Sequence, residues 1–447
     1  MRKVLIANRG EIARRIIRTC RAQGLATVAV YSEADKDLPF VREADEAVHI
    51  GPPPVPQSYL NMEAILAAAK ATGADAIHPG YGLLSENAAF AKRCREEGMT
   101  FIGPSPEVIA QMGDKVTARK IMRDAGVPIV PGFEGQMETA DEAVERANEM
   151  GYPVMLKASA GGGGIGMQVC HSDAELRQAF QSAKGRAKAY FGNDTMFLEK
   201  YVQNPHHIEV QIVADEHGNV LHLLERECSI QRRHQKVLEE SPSPFLDADT
   251  LEKICQAAVA AARAVDYTGV GTVEFIMDDR KNFFFLEMNT RLQVEHPVTE
   301  EMTGLDLVAL QLDVARHQPL TLQQSDVKAL RHAIELRVYA EDPVTFLPSP
   351  GKIEQYQPPK MEHVRIDDGV ERGTQVTPFY DPMIAKVIVS GADRKETIER
   401  AVEAMQAFTL TGIKNNIPFL LEVLQDERFQ QGMYTTQFVQ DRKKQSQ

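Results

Sequence analysis

The sequence predicts an α/β chain that passes into α+β. A parallel sheet under helices comes first, then a small glycine-loop unit, then a mixed strand-and-helix C-terminal part. Three observations carry this. Strand and helix signals alternate over the first hundred residues. "KASAGGGGIGMQ" (157–168) sets a glycine run between two short strand-like stretches. "GTVEFIMDDRKNFFFLEMN" reads as two apolar strands around a polar turn, and strands and helices mix freely after Arg331.

The elements follow in order. "KVLIA" is a short buried strand, and "EIARRIIRTCRAQG" has helical spacing with a stop at Gly24. "TVAVYS", "MEAILAAAKATG", "ADAIHPG", "ENAAFAKRCREEG" and "TFIG" continue the alternation. A ligand of such a sheet sits at the carboxyl ends of the strands, which here carry "ANRGE" and "HPGYGLLSEN". "GPSP" (103–106) reads as a break, Lys115 to Gly126 as a helix, and "VPIVPG" as a linker. Pro131 to Tyr201 reads as a small α+β unit: strand, glycine loop, strand, helix, strand. "HHIEVQIVAD" and "NVLHLLERE" are strands, and a helix covers about 249–265. Later come strands at "HAIELRVYA" and "AKVIVSG", helices at "RKETIERAVEAMQAF" and "NIPFLLEVLQDERF", and a frayed tail.

Composition removes several function classes. The 447 residues are too many for one ordinary core. A balance of 50 Lys and Arg against 63 Asp and Glu disfavours a general nucleic-acid binder. No stretch is long and apolar enough to span a membrane, and the start does not read as a signal peptide. The five cysteines are scattered without a C-x-x-C pair, as reduced thiols of a cytoplasmic protein would be.

The chemistry-bearing stretches are few. Gly161, Gly163 and Gly166 fit the spacing G-x-G-x-x-G, but "MQVCHS" after them reads as a strand, so the helix that a dinucleotide fingerprint requires is missing. A mobile hairpin whose backbone N–H groups meet phosphate oxygens is the other ligand reading, with Lys157 adding a charge; a solvated turn is the bland one. In the acidic hairpin, a turn centred between Arg280 and Lys281 sets Glu274 opposite Glu287. Facing carboxylates inside apolar strands call for a cation, and Asn289 lies two residues on, on the same face. Glu, Glu and Asn form an all-oxygen set suited to Mg2+ or Mn2+, the alternative being a solvated face. Arg291, Gln293, Glu295 and His296 follow in what reads as a loop, because Pro297 limits regular structure. Arg291 could fix an anion, and a buried Glu295 could act as a base. Arg232, Arg233, His234 and Lys236 form a basic cluster, read either as an oxyanion site or as a charged loop tip.

Together, "KVLIANRGEIA", "IHPGYGLLSEN", "MGDKVTAR", "KASAGGGGIGM", "CSIQRRHQKVLEESPSP", "EMNTRLQVEHPVTE" and "AEDPVTFLPSPG" resemble the biotin carboxylase family of the ATP-grasp superfamily along essentially the whole chain. The resemblance implies a Rossmann-like N-terminal domain (1–114), an ATP-grasp region (115–316) with a lid at about 131–202, and a C-terminal domain (331–441). It implies ATP contacts from Lys115, Lys157, Gly163, Gly164, Met167, Glu199, Lys200, Tyr201, Val202, His207, Gln231 and His234, with Glu274 and Glu287. Glu274, Glu287 and Asn289 match the ligands of two Mg2+ or Mn2+ ions. Bicarbonate would be held by Lys236, Arg291, Gln293 and Val294 and deprotonated by Glu295. Arg337 matches the arginine that stabilises the biotin enolate, and Tyr81 a residue near biotin.

The implied reaction is carboxylation of biotin through carboxyphosphate, the first half-reaction of an acetyl-CoA or other acyl-CoA carboxylase. The sequence contains no "A-M-K-M"-like segment to carry biotin, so the expected partners are a biotin carboxyl carrier protein and a carboxyltransferase, with a homodimer as the assembly. Another ATP-grasp carboxylate ligase, or a nucleotide-binding subunit without turnover, are the alternatives. One departure stands out. The family has arginine after the four glycines and again after the methionine, where this chain has Ile165 and Gln168; Ala160 replaces a further glycine.

Overall fold

The computed structural model describes residues 1–133, 137–158, 167–191 and 194–445. Strands β1 (Lys3–Ile6), β2 (Ala26–Ser32), β3 (Glu46–Gly51), β4 (Ala76–His78) and β5 (Thr100–Phe101) form an all-parallel sheet in the order β3-β2-β1-β4-β5. The direction of winding reverses between β1 and β4, and their carboxyl ends open a crevice there. Asn8 leaves β1 at that point and donates to the carbonyls of Pro79 and Tyr81, both at 2.8 Å, so the two strand-end motifs meet. The helix Gly10–Ala22 buries Ile12, Ile16, Ile17 and Cys20 along one stripe. It approaches the far end of the chain at Gly369, where a Cβ would lie 2.7 Å from the Glu11 nitrogen.

A small antiparallel sheet comprises β6 (Gly132–Phe133), β7 (Val154–Ala158), β8 (Met167–Cys170) and β9 (Met196–Lys200), in the order β6-β9-β7-β8. Helices Ala140–Met150 and Asp173–Phe191 contribute Ala143, Ala147, Phe180 and Ala183 to its core. A strand follows the glycine run, as the alternation of "MQVC" predicts, and Met167 pairs with Lys157. Gly163, Gly164, Ile165 and Ala160 lie outside the described residues.

The body is one eight-stranded antiparallel sheet. It begins with β10 (His206–Ala214), β11 (Val220–Arg232), β12 (Gln235–Ser241), β13 (Gly269–Met277), β14 (Phe283–Asn289) and β15 (His332–Tyr339). Strands Met383–Gly391 and Val364–Asp368 complete it, in the order β14-β13-β10-β11-β12-β15 and then those two. The sheet therefore continues without a break from the acidic hairpin into the 331–441 stretch. The helix Ala248–Ala264, close to the 249–265 expected, packs Ile254, Ala258 and Ala262 against it and is capped by Asp247, which accepts from the Thr250 nitrogen at 2.8 Å.

Two expectations change. "GPSP" breaks the chain but also starts a helix, Pro106–Gly113, with Ser105 as cap and Pro106 in the first turn, where its missing N–H costs nothing. Pro297 likewise does not end regular structure. It lies in the first turn of the helix His296–Thr303, so the loop that leaves β14 is shorter than the sequence reading made it.

Candidate active site

One face of the large sheet carries a row of charged side chains directly across four strands. Glu287 on β14 faces Glu274 on β13, Glu274 faces Glu209 on β10, and Glu209 faces Arg226 on β11. The expected Glu274–Glu287 pairing is present, by a route the sequence did not show. Beyond the turn the register centres on Arg280, and a bulge between Glu274 and Phe275 supplies the extra residue that brings the glutamates level. Three neighbouring carboxylates repel, so the row requires cations. Arg226, fully buried, donates to Glu209 at 2.6 Å, to Gln211 at 2.6 Å, to Thr299 at 2.8 Å and to Gln293 at 2.7 Å.

Lys236 is the second cation. Its Nζ lies 2.6 Å from Glu209, 2.9 Å from Glu274 and 2.6 Å from Glu295. Burial alone would lower its pKa, but the three carboxylates outweigh burial and keep the ammonium charged well above its ordinary range. The other oxygen of Glu295 accepts from Arg337 at 2.8 Å, and Arg337 also meets Glu239 at 2.5 Å. Burial would raise the Glu295 carboxyl; Lys236, Arg337 and Arg226 reverse this and hold it below the usual carboxylate range. Glu295 is thus held ionised, with one oxygen engaged by Lys236 and the other by Arg337.

The basic cluster does not act as one unit. Arg233 and His234 form an exposed turn with positive φ of 50° and 65°. Arg232 is buried against Glu341, with Tyr339 and Phe346 rings at 5.3 and 5.1 Å. Only Lys236 of the four reaches the acidic row. The reason is the tight hairpin, which turns successive side chains to different faces.

After β14 the chain places Arg291, Gln293 and Val294 beside this cluster. Arg291 donates to Glu86 and to the Asn289 oxygen, both at 2.8 Å. Gln293 donates to Glu274 at 2.6 Å. Asn289 donates to the same Glu274 oxygen at 2.8 Å. His207 lies 2.8 Å from the other Glu274 oxygen, and Gln231 meets His207 Nδ1 at 3.0 Å. Burial would raise the Glu274 carboxyl, but Lys236 and His207 hold it well below the usual range.

Glu287 differs from its neighbours. It makes no hydrogen bond or ion pair among the described residues, and burial followed by Glu274 raises its carboxyl pKa. The residue is nonetheless exposed. Glu274, Glu287 and Asn289 offer the hard oxygens that a divalent cation such as Mg2+ takes; Glu287 is unengaged, while the Glu274 and Asn289 oxygens are occupied by Lys236, His207 and Arg291. Lys115, at the start of the helix Lys115–Asp124, acts favourably on the charge of Glu287.

On the small sheet, Lys157 pairs with Glu199, which also meets Arg119. Lys200 turns its amine to the Gly151 and Tyr152 carbonyls at 2.7 and 3.0 Å, and Tyr201 accepts from Gln437 at 3.3 Å. Val202 follows, half-buried, in the segment before β10. Tyr81 donates to Glu11 beside Lys386, on the far side of Val294.

Sequence reasoning missed Glu209, Arg226, Glu239 and Glu86. A signal existed for Glu209: in "HHIEVQIVAD" the polar residues His207, Glu209 and Gln211 recur every second position among apolar ones, which marks one polar face of a buried strand. Nothing local marks Arg226, whose partners lie 15 to 73 residues away.

Comparison with known proteins identifies the family. Residues 1–109 match the biotin carboxylase N-terminal domain, 114–323 the carbamoyl-phosphate synthase L chain ATP-binding domain, and 335–441 the biotin carboxylase C-terminal domain. The chain is 58% identical to biotin carboxylase of Halalkalibacterium halodurans, over 98% of this chain and 97% of that one. It is 52% identical to the propionyl-CoA carboxylase alpha chain of Ruegeria pomeroyi, over 98% of this chain and 67% of the relative. The Campylobacter jejuni biotin carboxylase–β,γ-ATP complex superposes with TM-score 0.95 at 45% identity, covering 98% of each chain. The Hydrogenobacter thermophilus 2-oxoglutarate carboxylase biotin carboxylase domain dimer, with MgADP, ADP and bicarbonate, superposes with TM-score 0.94 at 45% identity, covering 99% and 98%. Sequence, fold and the buried acid–base cluster thus converge: the chain belongs to the biotin carboxylase family, the ATP-dependent ligases of the ATP-grasp superfamily.

Proposed function

We propose that this protein carboxylates biotin borne on a separate carrier protein, using ATP and bicarbonate, as a homodimer that hands the carboxyl group to a carboxyltransferase. The observation that supports this most is the Lys236 ammonium, which bridges Glu209, Glu274 and Glu295 while Arg337 holds the free oxygen of Glu295. One cluster thereby joins a nucleotide-side carboxylate, an anion-binding cation and a base.

Bicarbonate fits between Lys236 and Arg291, with the Gln293 amide and the Val294 N–H as further donors. Its negative charge beside Glu295 raises that carboxylate's affinity for a proton. Glu295 takes the bicarbonate proton, and a bicarbonate oxygen attacks the γ-phosphorus. The β–γ bridging P–O bond breaks and ADP leaves with the electron pair. The resulting carboxyphosphate releases CO2 and phosphate. The phosphate removes the ureido N–H proton of biotin, Arg337 stabilises the enolate oxygen, and the nitrogen forms its bond to CO2. Glu274, Glu287 and Asn289 would hold Mg2+ or Mn2+, which supplies charge neutralisation at the β- and γ-phosphates. Lys115, Lys157, Met167, the Glu199–Val202 segment, His207, Gln231 and His234 line the nucleotide's side, under the lid.

The test is phosphate release by the purified protein with Mg2+ and ATP. The expected result is hydrolysis that depends on bicarbonate and is stimulated by free biotin. Hydrolysis indifferent to both would refute the reading.

A further inference from the structure

The loop that carries Gln293, Val294 and Glu295 is held from its buried side by two donors outside the reacting set. Lys386, fully buried on the strand Met383–Gly391, donates from Nζ to the Val294 carbonyl at 2.7 Å and lies 3.2 Å from Glu11. His296, also fully buried, meets the Gln293 carbonyl through Nδ1 at 2.7 Å. Burial, together with Lys386, Arg15 and Arg365, holds the His296 pKa well below the histidine range. The ring is therefore neutral, with Nδ1–H as the donor. Lys386 pairs across the sheet with Arg337 on one side and Asp367 on the other, so it belongs to the same sheet face as Arg337.

Peptide planarity turns these two contacts into a device. In a trans peptide the C=O and the following N–H point in opposite directions. Fixing the Gln293 and Val294 carbonyls on the buried side directs the N–H groups of Val294 and Glu295 away from it. Neither N–H has a hydrogen-bond partner among the described residues. Two successive unpaired N–H groups, on the side opposite the pinned carbonyls, are the kind of backbone pair that takes an anion.

We propose that Lys386 and His296 are positioning residues for bicarbonate: they pin two consecutive carbonyls and so aim the Val294 and Glu295 N–H groups at the anion. This rests on the biotin carboxylase reading of the site. Glu11 supplies the counter-charge of Lys386 and also accepts from Tyr81. The same lysine therefore ties the bicarbonate loop to the N-terminal domain.

The test compares Lys386→Met with Glu11→Gln (made together, so that the Glu11 carboxylate is not left facing an apolar side chain), Lys386→Arg, Glu11→Gln alone, and His296→Phe. Steady-state ATP cleavage is measured against bicarbonate, ATP and biotin, alongside thermal melting. The double variant and His296→Phe are expected to raise KM for bicarbonate on the order of tenfold, the loss of one well-placed hydrogen bond, with KM for ATP within about twofold. Lys386→Arg should recover part of the loss, and Glu11→Gln alone should raise KM for bicarbonate less than the double variant does. Equal rises in KM for all three substrates, or an unchanged KM for bicarbonate in folded variants, overturn the positioning role. A wild-type protein without bicarbonate-dependent cleavage overturns the functional reading and this proposal together.

Discussion

Replacing Arg226 with methionine tests the electrostatic account of the acidic row. The guanidinium has no exposed surface and donates to Glu209, Gln211, Thr299 and Gln293 at 2.6 to 2.8 Å. Its removal leaves Glu209 with Lys236 alone and frees the Gln293 oxygen. Breaking one side of a buried pair costs about 3–5 kcal/mol. At 2–4 °C per kcal/mol for a cooperative unit of 150–250 residues, the melt falls by roughly 6–20 °C. If the uncompensated carboxylate is the cause, adding Glu209→Gln should recover much of that, with a coupling of about 2 kcal/mol in the double-mutant cycle. Because the chain has no tryptophan, far-UV circular dichroism is the suitable probe. A strictly additive cycle would show that the loss comes from packing, and would sink the argument that charge balance sets this site. Arg226→Met should also raise KM for bicarbonate, through the freed Gln293.

Three further outcomes follow from the same structure. Glu287→Gln should raise the Mg2+ needed for half-maximal activity by roughly tenfold or more. The melt should stay level or rise slightly, since Glu287 has no partner to lose and faces Glu274; a stability loss with normal Mg2+ dependence would remove it from the metal set. Glu240 is fully buried, which alone would raise its pKa, but His332 and a bidentate Arg394 outweigh burial and lower it from 4.5 to about 2. A depressed folded pKa contributes stability that is complete above about pH 4.5 and drains away as pH falls toward 2, about 3 kcal/mol in all. Urea titrations between pH 6 and 3 should show that acid limb flattened in Glu240→Gln, and an identical limb in both proteins would refute the assignment. Restoring the lid cations with Ile165→Arg and Gln168→Arg should lower KM for ATP roughly fivefold and leave KM for bicarbonate unchanged; an unchanged KM for ATP would show that those positions do not meet phosphate.

Much of this was legible from residues near one another in the chain. The alternation of strand and helix and the strand after the glycine run are local patterns, set by side-chain periodicity; the facing pair Glu274–Glu287 was expected from turn length but is brought level by a bulge. Pro297 misled because the same fixed φ that blocks a helix interior suits a first turn, and only the chain after it tells the two apart. The cluster "QRRHQK" looked like one anion site because its charges are adjacent in sequence. The hairpin's geometry then sent Arg232, His234 and Lys236 to three different surroundings.

By itself, the sequence determined the element order and the family resemblance and nominated the side chains proposed to react, since each is written in contiguous motifs of about a dozen residues. The tertiary structure alone decided which charges neutralise which. Arg226 against Glu209, Lys236 among three carboxylates, Glu86 behind Arg291 and Lys386 beneath Val294 join residues 17 to 205 positions apart. Coulomb interaction and hydrogen bonding act over a few ångströms in space, and only the folded sheet brings those groups within that reach.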